Sequence, residues 1–233
     1  MKYEVKVFAV AQEVLNKKGH IKSSLLEAFD AKKGDEDFLV QFIDHDSKRN
    51  YHNKVTMRIR KSEDDEFMEI QYKKRYPVRA TIDDAIRQAE EEGINGELEV
   101  EYGVNKKTLS VTHVVEVPVD AHLLPALDQS HHHVTSAAPE VFEPFLTELD
   151  ESTLVGPYEF ERHSGKLNGY KIKLERWLIA ETPIVEISSK VATEKEAREL
   201  QQQLIDYLNE LKVYEATDQL KTELIFENKD SSS

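Results

Sequence analysis

Between Asp35 and Val78 the chain reads DEDFLVQFIDHDSKRNYHNKVTMRIRKSEDDEFMEIQYKKRYPV, and the second half of this stretch alternates with a period of two. That period sends successive side chains to opposite faces of a strand. Arg58 and Arg60 therefore share one face, with Met57 and Ile59 on the other. Gln71, Lys73 and Arg75 share a face against Ile70 and Tyr72. The polar run SEDDE between them reads as a turn, so the two strands are expected to form a hairpin with four cations on one surface. Like charges on neighbouring strands repel, and a surface built this way suits an anionic ligand.

The same two-faced design recurs along the chain. Lys2, Glu4 and Lys6 alternate with Tyr3, Val5 and Val7; Glu97, Glu99 and Glu101 alternate with Leu98, Val100 and Tyr102. FLVQFID is apolar on both faces, and Thr108–Val117 is β-branched and mostly uncharged. Further strands are expected at Tyr158–Arg162, Gly169–Ile179 and Ile184–Val191, with turns at HSGKLNG and ETP. Helical patterns lie around Val10–Lys17 and Ser23–Ala31, and a helix capped by Thr81 runs toward Gly93. Thr193 and Glu196 form a capping box for a last helix whose apolar face is Ala197, Leu200, Leu204, Leu208 and Leu211. Pro139–Leu149 reads as a short helix split by Pro144. Asp120–Ala138 reads as a solvated connection, because His131, His132 and His133 on an extended chain point to alternate sides and lack metal-ligand spacing. The tail ending NKDSSS is expected to be disordered.

Composition narrows the function classes. A formal net charge of −14 disfavours binding to a nucleic-acid polymer, while a local cationic site for a small polyanion survives within an acidic protein. There is no cysteine, hence no disulfide framework and no thiolate chemistry. No apolar run reaches the ~20 residues of a membrane span, and the N-terminus lacks a signal-peptide layout. A cytoplasmic protein without a membrane partner is the expectation.

Amphipathic helices must cover the apolar strand faces, leaving the charged faces turned toward each other if the sheet closes. The charges are sorted by strand, with cations on Thr56–Arg60 and Gln71–Arg75 and acids on Glu97–Glu101. The expected fold is α+β: a mostly antiparallel closed barrel or tunnel of about eight strands, charged inside, with helices outside. A single domain over residues 1–225, followed by a disordered tail at 226–233, is the expected organisation. Such an interior suits a polyphosphate held by Arg and Lys together with a hard divalent cation on carboxylates.

In these features the chain resembles the CYTH family, the triphosphate tunnel metalloenzymes, which include class IV adenylyl cyclases, thiamine triphosphatases and inorganic triphosphatases. FIDHD…VTMRIR is similar to the YFDT-to-RIR stretch of that family, EIQYKKR to its LTxKxR strand, and ELEVEY to its ExE strand. KIKLERW resembles the strand with an inward aspartate, here Glu175, and IVEISSK with ATEKEARELQQQL resembles the closing ExE strand and helix. Three departures stand out: the ExExK signature is Lys2-x-Glu4-x-Lys6, the closing ExE is Glu186-x-Ser188, and the basic KxR strand is Phe160-x-Arg162.

The resemblance implies phosphate contacts at Lys6, Arg58, Arg60, Lys73, Arg75 and Arg162. It implies metal ligation or water activation at Glu4, Glu99, Glu101, Glu175 and Glu186, with Lys6 and Glu4 as the catalytic pair; which two of Glu97, Glu99 and Glu101 match stays open. The implied activity is metal-dependent hydrolysis of inorganic tripolyphosphate, thiamine triphosphate or a nucleoside triphosphate, with Mg²⁺ or Mn²⁺ as cofactor. The alternatives are a non-catalytic polyphosphate or nucleotide binder with a degenerate metal site, and a class IV-type adenylyl cyclase. The expected partner is a small polyphosphate or nucleotide, and a homodimer is compatible with the resemblance.

Overall fold

The computed structural model describes residues 1–32, 36–119 and 123–227. In chain order the elements are β1 (Lys2–Ala9), α1 (Ala11–Val14), α2 (Ser23–Ala28), β2 (Glu36–His45), α3 (Arg49–His52), β3 (Val55–Ser62), β4 (Phe67–Pro77), α4 (Ile82–Glu91), β5 (Glu97–Tyr102), β6 (Lys107–Pro118) and α5 (Leu127–Ser136). Two 3₁₀ segments follow (Glu140–Phe145 and Leu149–Glu151), then β7 (Ser152–Leu167), β8 (Tyr170–Ile179), β9 (Thr182–Val191), α6 (Glu194–Glu210), β10 (Tyr214–Glu215) and α7 (Lys221–Glu227). The strands are hydrogen-bonded in the order β10-β1-β5-β6-β4-β3-β2-β7-β8-β9, and β1 also pairs with β9, so the ladder returns to its start. This is the closed, largely antiparallel α+β barrel topology expected, with nine strands in the closed ladder rather than about eight.

By contact density the chain forms two compact units, each discontinuous in sequence. The first comprises Met1–Asp37, Val100–Lys107 and Glu159–Leu220; the second comprises Phe38–Glu99, Thr108–Tyr158 and Lys221–Ser233.

In the first unit β1, β9, β8 and the later part of β7 pair antiparallel. Their apolar faces bury Val5, Val7, Leu174 and Ile187, and α6 packs on β1 and β9 through the buried Ala197, Leu200, Leu204 and Leu208. The capping box forms as read: the Thr193 hydroxyl accepts from the Glu196 amide, and the Glu196 carboxylate accepts from the Thr193 amide at 3.0 Å. The strand β7 continues through the HSGK stretch that the sequence suggests is a turn. Gly165 explains this: a side chain there would run into the Phe29 carbonyl, which accepts the Lys166 amide at 2.6 Å. The glycine serves close approach rather than a bend. The actual turn is Asn168–Gly169.

One polar cluster is buried on the side of this sheet opposite its charged row. Glu161, 1% exposed, accepts from His20 Nδ1 at 2.9 Å, Arg176 Nη2 at 3.1 Å and the Ile21 amide at 3.3 Å. Burial alone would raise the Glu161 pKa, but these donors outweigh it and hold the carboxyl below its ordinary value of 4.5. A carboxyl depressed in the folded state contributes stability above its unfolded pKa and loses it as pH falls through the folded value. Acid unfolding of the wild type should therefore include a Glu161-dependent part below about pH 4.5. Glu161→Gln, which leaves Arg176 without its carboxylate, should cost about 3–5 kcal/mol at pH 7 and flatten that acid limb in urea titrations followed by circular dichroism.

In the second unit β2, β3, β4 and β6 pair antiparallel. Met57, Ile59, Ile70 and Tyr72 are buried against Val134 of α5 and Phe142 of the first 3₁₀ segment, and the Tyr72 hydroxyl donates to the Val134 carbonyl at 2.6 Å. The expected connection from Asp120 to Ala138 is thus corrected over Leu127–Ser136, which is helical; residues 120–122 lie outside the described part. The helix is recruited by tertiary burial of Val134 and Ser130, which overrides weak local propensity. His131, His132 and His133 sit on this helix, where His131 Nε2 bonds the Thr147 carbonyl at 2.7 Å. Successive helical positions fan apart, so the three side chains do not converge on one point. The segment HDSKRNYHN contains α3, and Asp44 caps it by accepting from the Asn50 amide at 3.0 Å and the Tyr51 amide at 2.9 Å. Pro139–Leu149 is 3₁₀ over Glu140–Phe145 rather than α-helical, consistent with Pro144 lacking an amide donor. The short helix α7 was not expected; of the expected disordered tail at 226–233, Phe226 and Glu227 belong to it, and residues 228–233 lie outside the described part.

Candidate functional site: two charged sheet faces

The hairpin of β3 and β4 carries its cations as the alternation requires. Thr56 lies opposite Lys73, Arg58 opposite Gln71 and Arg60 opposite Glu69, while β2 places Phe42 opposite Arg58 and Val40 opposite Arg60. Lys73 is buried, and Arg75 Nη1 donates to Thr56 Oγ1 at 3.1 Å. The face is not purely cationic. Arg60 forms an ion pair with Glu69 and lies over the Phe38 ring at 5.1 Å. Glu69 in turn lies opposite Glu116 on β6. Phe38, Arg60, Ser62, Asp65, Phe67, Glu69 and Glu116 line a cavity of about 290 Å³ at the turn end of the hairpin. Arg58, Lys73 and Arg75 thus form the cationic part of this face, and Arg60 sits where acids begin.

In the first unit the cross-strand register lines up two rows. One runs Lys6, Ser188, Lys173, Ser164; the other runs Phe8, Glu186, Glu175, Arg162. Lys6 Nζ lies 3.2 Å from Glu4 Oε2. Glu175 Oε1 accepts both Arg162 Nε at 2.9 Å and Nη2 at 2.8 Å, and its Oε2 accepts Trp177 Nε1 at 2.9 Å. Trp177 stacks on Phe160 with 4.2 Å between centroids and 10° between planes. Sequence reading missed Lys173 and Lys190. Both were legible, because Lys173 alternates in phase with Glu175, and Lys190 in phase with Glu186. Although Lys173 is exposed, local desolvation and then repulsion by Arg162 and Lys190 hold its ammonium below the ordinary lysine range, against attraction by Glu175 and Glu4.

Glu99 and Glu101 are buried, whereas Glu97 is exposed. Burial therefore distinguishes two of the three acids on β5. Glu99 belongs to the second unit, where its carbonyl accepts the Ser110 hydroxyl at 3.2 Å; Glu101 belongs to the first.

The donor set does not match a ready-made Mg²⁺ or Mn²⁺ site. Glu175 gives both lone-pair sites of one oxygen to Arg162 and one site of the other to Trp177, and a dication at that carboxylate would meet the guanidinium. Glu4 is paired with Lys6, and Ser188 offers no charge. Among the described residues, no three carboxylate or imidazole side chains converge as a metal cage needs.

No protein-family model and no curated protein matches the chain. The architecture is nevertheless one found in solved proteins, two of which are named as putative adenylyl cyclases. The putative adenylyl cyclase HpAC1 from Hippeastrum, which shows a dominant triphosphatase activity, is 14% identical, with a TM-score of 0.59 over 98% of this chain and 97% of that one. A putative adenylate cyclase from Bacillus halodurans is 12% identical, with a TM-score of 0.59 over 97% and 98%. The PH1819 protein of Pyrococcus horikoshii is 15% identical, with a TM-score of 0.51 over 98% and 100%. At these identities the likeness establishes the fold, and it is the fold that the resemblance in the sequence implied. No helix of the described residues is long and apolar enough to cross a membrane.

The Arg162–Glu175–Trp177 linkage predicts a measurable cost. Glu175→Ala removes the carboxylate that a largely buried guanidinium binds and should destabilise the protein by about 3–5 kcal/mol. It should also shift the emission of Trp177, the single tryptophan of the chain. Unchanged urea midpoints would show that Arg162 readily finds another partner.

Proposed function

We propose that this protein binds a triphosphate-containing small molecule, namely inorganic tripolyphosphate, thiamine triphosphate or a nucleoside triphosphate, and hydrolyses a phosphoanhydride bond in it. The observation that carries this reading is the gathering of Arg58, Lys73 and Arg75 on one sheet face backed by a closed apolar core. Cations held on strands are preorganised, so they neutralise the phosphate oxygens without reorganising during reaction. Arginine contributes most, since its planar fork stays charged when desolvated and matches phosphate geometry.

In the first unit Lys6 and Arg162 would bind phosphate oxygens, and Glu4, beside Lys6, would take a proton from the attacking water. The fold shared with HpAC1 is consistent with triphosphatase chemistry. A second reading, a polyphosphate binder without catalysis, is favoured by the internal partners of Glu4 and Glu175.

Phosphate release from tripolyphosphate, thiamine triphosphate and ATP, with Mg²⁺ or Mn²⁺ supplied and with chelator, tests the proposal. Release is expected from at least one substrate. Arg58→Ala should weaken tripolyphosphate binding by about 2–5 kcal/mol and lower release in parallel. Binding that is lost in Arg58→Ala, with no release by wild type under any of these conditions, would establish the binder reading. Cyclic nucleotide formed from ATP would instead mark a cyclase.

A further inference from the structure

Ser188 stands between two lysines. It lies opposite Lys6 of β1 on one side and opposite Lys173 of β8 on the other, and Ser188 itself is buried. Adjacent strands are about 4.8 Å apart, so the two lysine stems rise roughly 10 Å apart, with a short hydroxyl side chain between them. The serine adds neither charge nor bulk between them, so a single tetrahedral anion could be flanked by two flexible ammonium groups. Lys173 lies within electrostatic reach of Arg162 and Lys190 as well as of Glu175 and Glu4. The row beside it is acidic, with Glu186 opposite Glu175. Glu175 is already met by Arg162 and Trp177, which tempers its repulsion of an incoming anion.

A divalent ion fits this place poorly. A serine supplies no charge to hold it, and the neighbouring lysines repel it at short range. The same arrangement favours a phosphate group, which an ammonium binds as a point charge and a hydroxyl as a neutral donor.

We propose that the first unit contains a metal-independent phosphate seat over Ser188, between Lys6 and Lys173 and bordered by Lys190 and Arg162, where lysine ammonium groups supply the charge that a divalent cation would otherwise bring to a polyphosphate. The inference rests on the polyphosphate reading of the ligand and deepens it by assigning roles to Lys173, Lys190 and Ser188. Lysines that only neutralise Glu4 and Glu175 would leave the ligand unaffected.

Titration calorimetry with inorganic tripolyphosphate, in chelator and then with Mn²⁺, tests it on the full chain. Wild type is expected to bind in chelator. Lys173→Gln, at an exposed position and checked for an unchanged circular-dichroism spectrum, should bind about ten- to a hundredfold more weakly. Ser188→Glu places a carboxylate between the lysines; it should weaken binding in chelator further than Lys173→Gln does and recover it with Mn²⁺. Wild type that binds only with Mn²⁺ would overturn the proposal, as would Lys173→Gln and Ser188→Glu both binding like wild type in chelator. Phosphate release is scored separately. Binding that follows the expected pattern without release leaves the seat standing and removes the hydrolase reading; release that requires Mn²⁺, with no binding in chelator, does the reverse.

Discussion

The two-residue period of the pleated strand governs this structure. Every strand that buries Val5 and Val7, or Ile59 and Ile70, must send its other side chains the opposite way. Sliding any of these strands by one residue would put arginine or glutamate into the core, so the apolar faces fix the register and the register fixes the charged rows. The charges are thus placed by residues that never touch them. Arg58 faces Gln71 because Met57 and Tyr72 are held in the core beside Phe142.

Charge is balanced locally within these faces rather than left open. Glu175 is satisfied through both oxygens, Glu4 by Lys6, and Arg60 by Glu69 together with Phe38. Desolvated groups require such partners, and the pairs keep a strongly charged sheet stable when no ligand is bound. A polyanion arriving at either face must compete with internal carboxylates for the same cations. The likeness to HpAC1 and the Bacillus halodurans protein is one of fold.

Features with strict local signals were legible in the sequence. The arginine strand, the Thr193–Glu196 box and the leucine face of α6 follow from short patterns whose physics is local. The missed features depend on distant contacts. α5 forms because Val134 meets Tyr72 and Phe142; β7 runs through Gly165 because Phe29 lies against it; α7 is fixed where Phe226 stacks on Tyr51 with centroids 4.7 Å apart. Of the candidate site, the cations on β3 and β4 could be read directly, but Glu69 belongs to the same alternation and was passed over. Lys173 stands in the same alternation as Glu175, two residues away. Which carboxylates are already occupied depends on side-chain approach across strands, which periodicity does not encode.

The strand order also imposes a sequence of events as the chain is synthesised. β2, β3 and β4 follow one another closely and pair as neighbours, so the arginine face can assemble from local hairpins. β1 emerges first, yet Val5 waits for Ser189 and Lys6 for Ser188, and the helix that shields Val5 and Val7 lies later still. Until then its apolar side is exposed on an unpaired edge, the condition under which nascent strands aggregate. The face bearing Ser188 is therefore among the last to close, because β8 and β9, which carry Lys173 and Ser188, are the last long strands to be made.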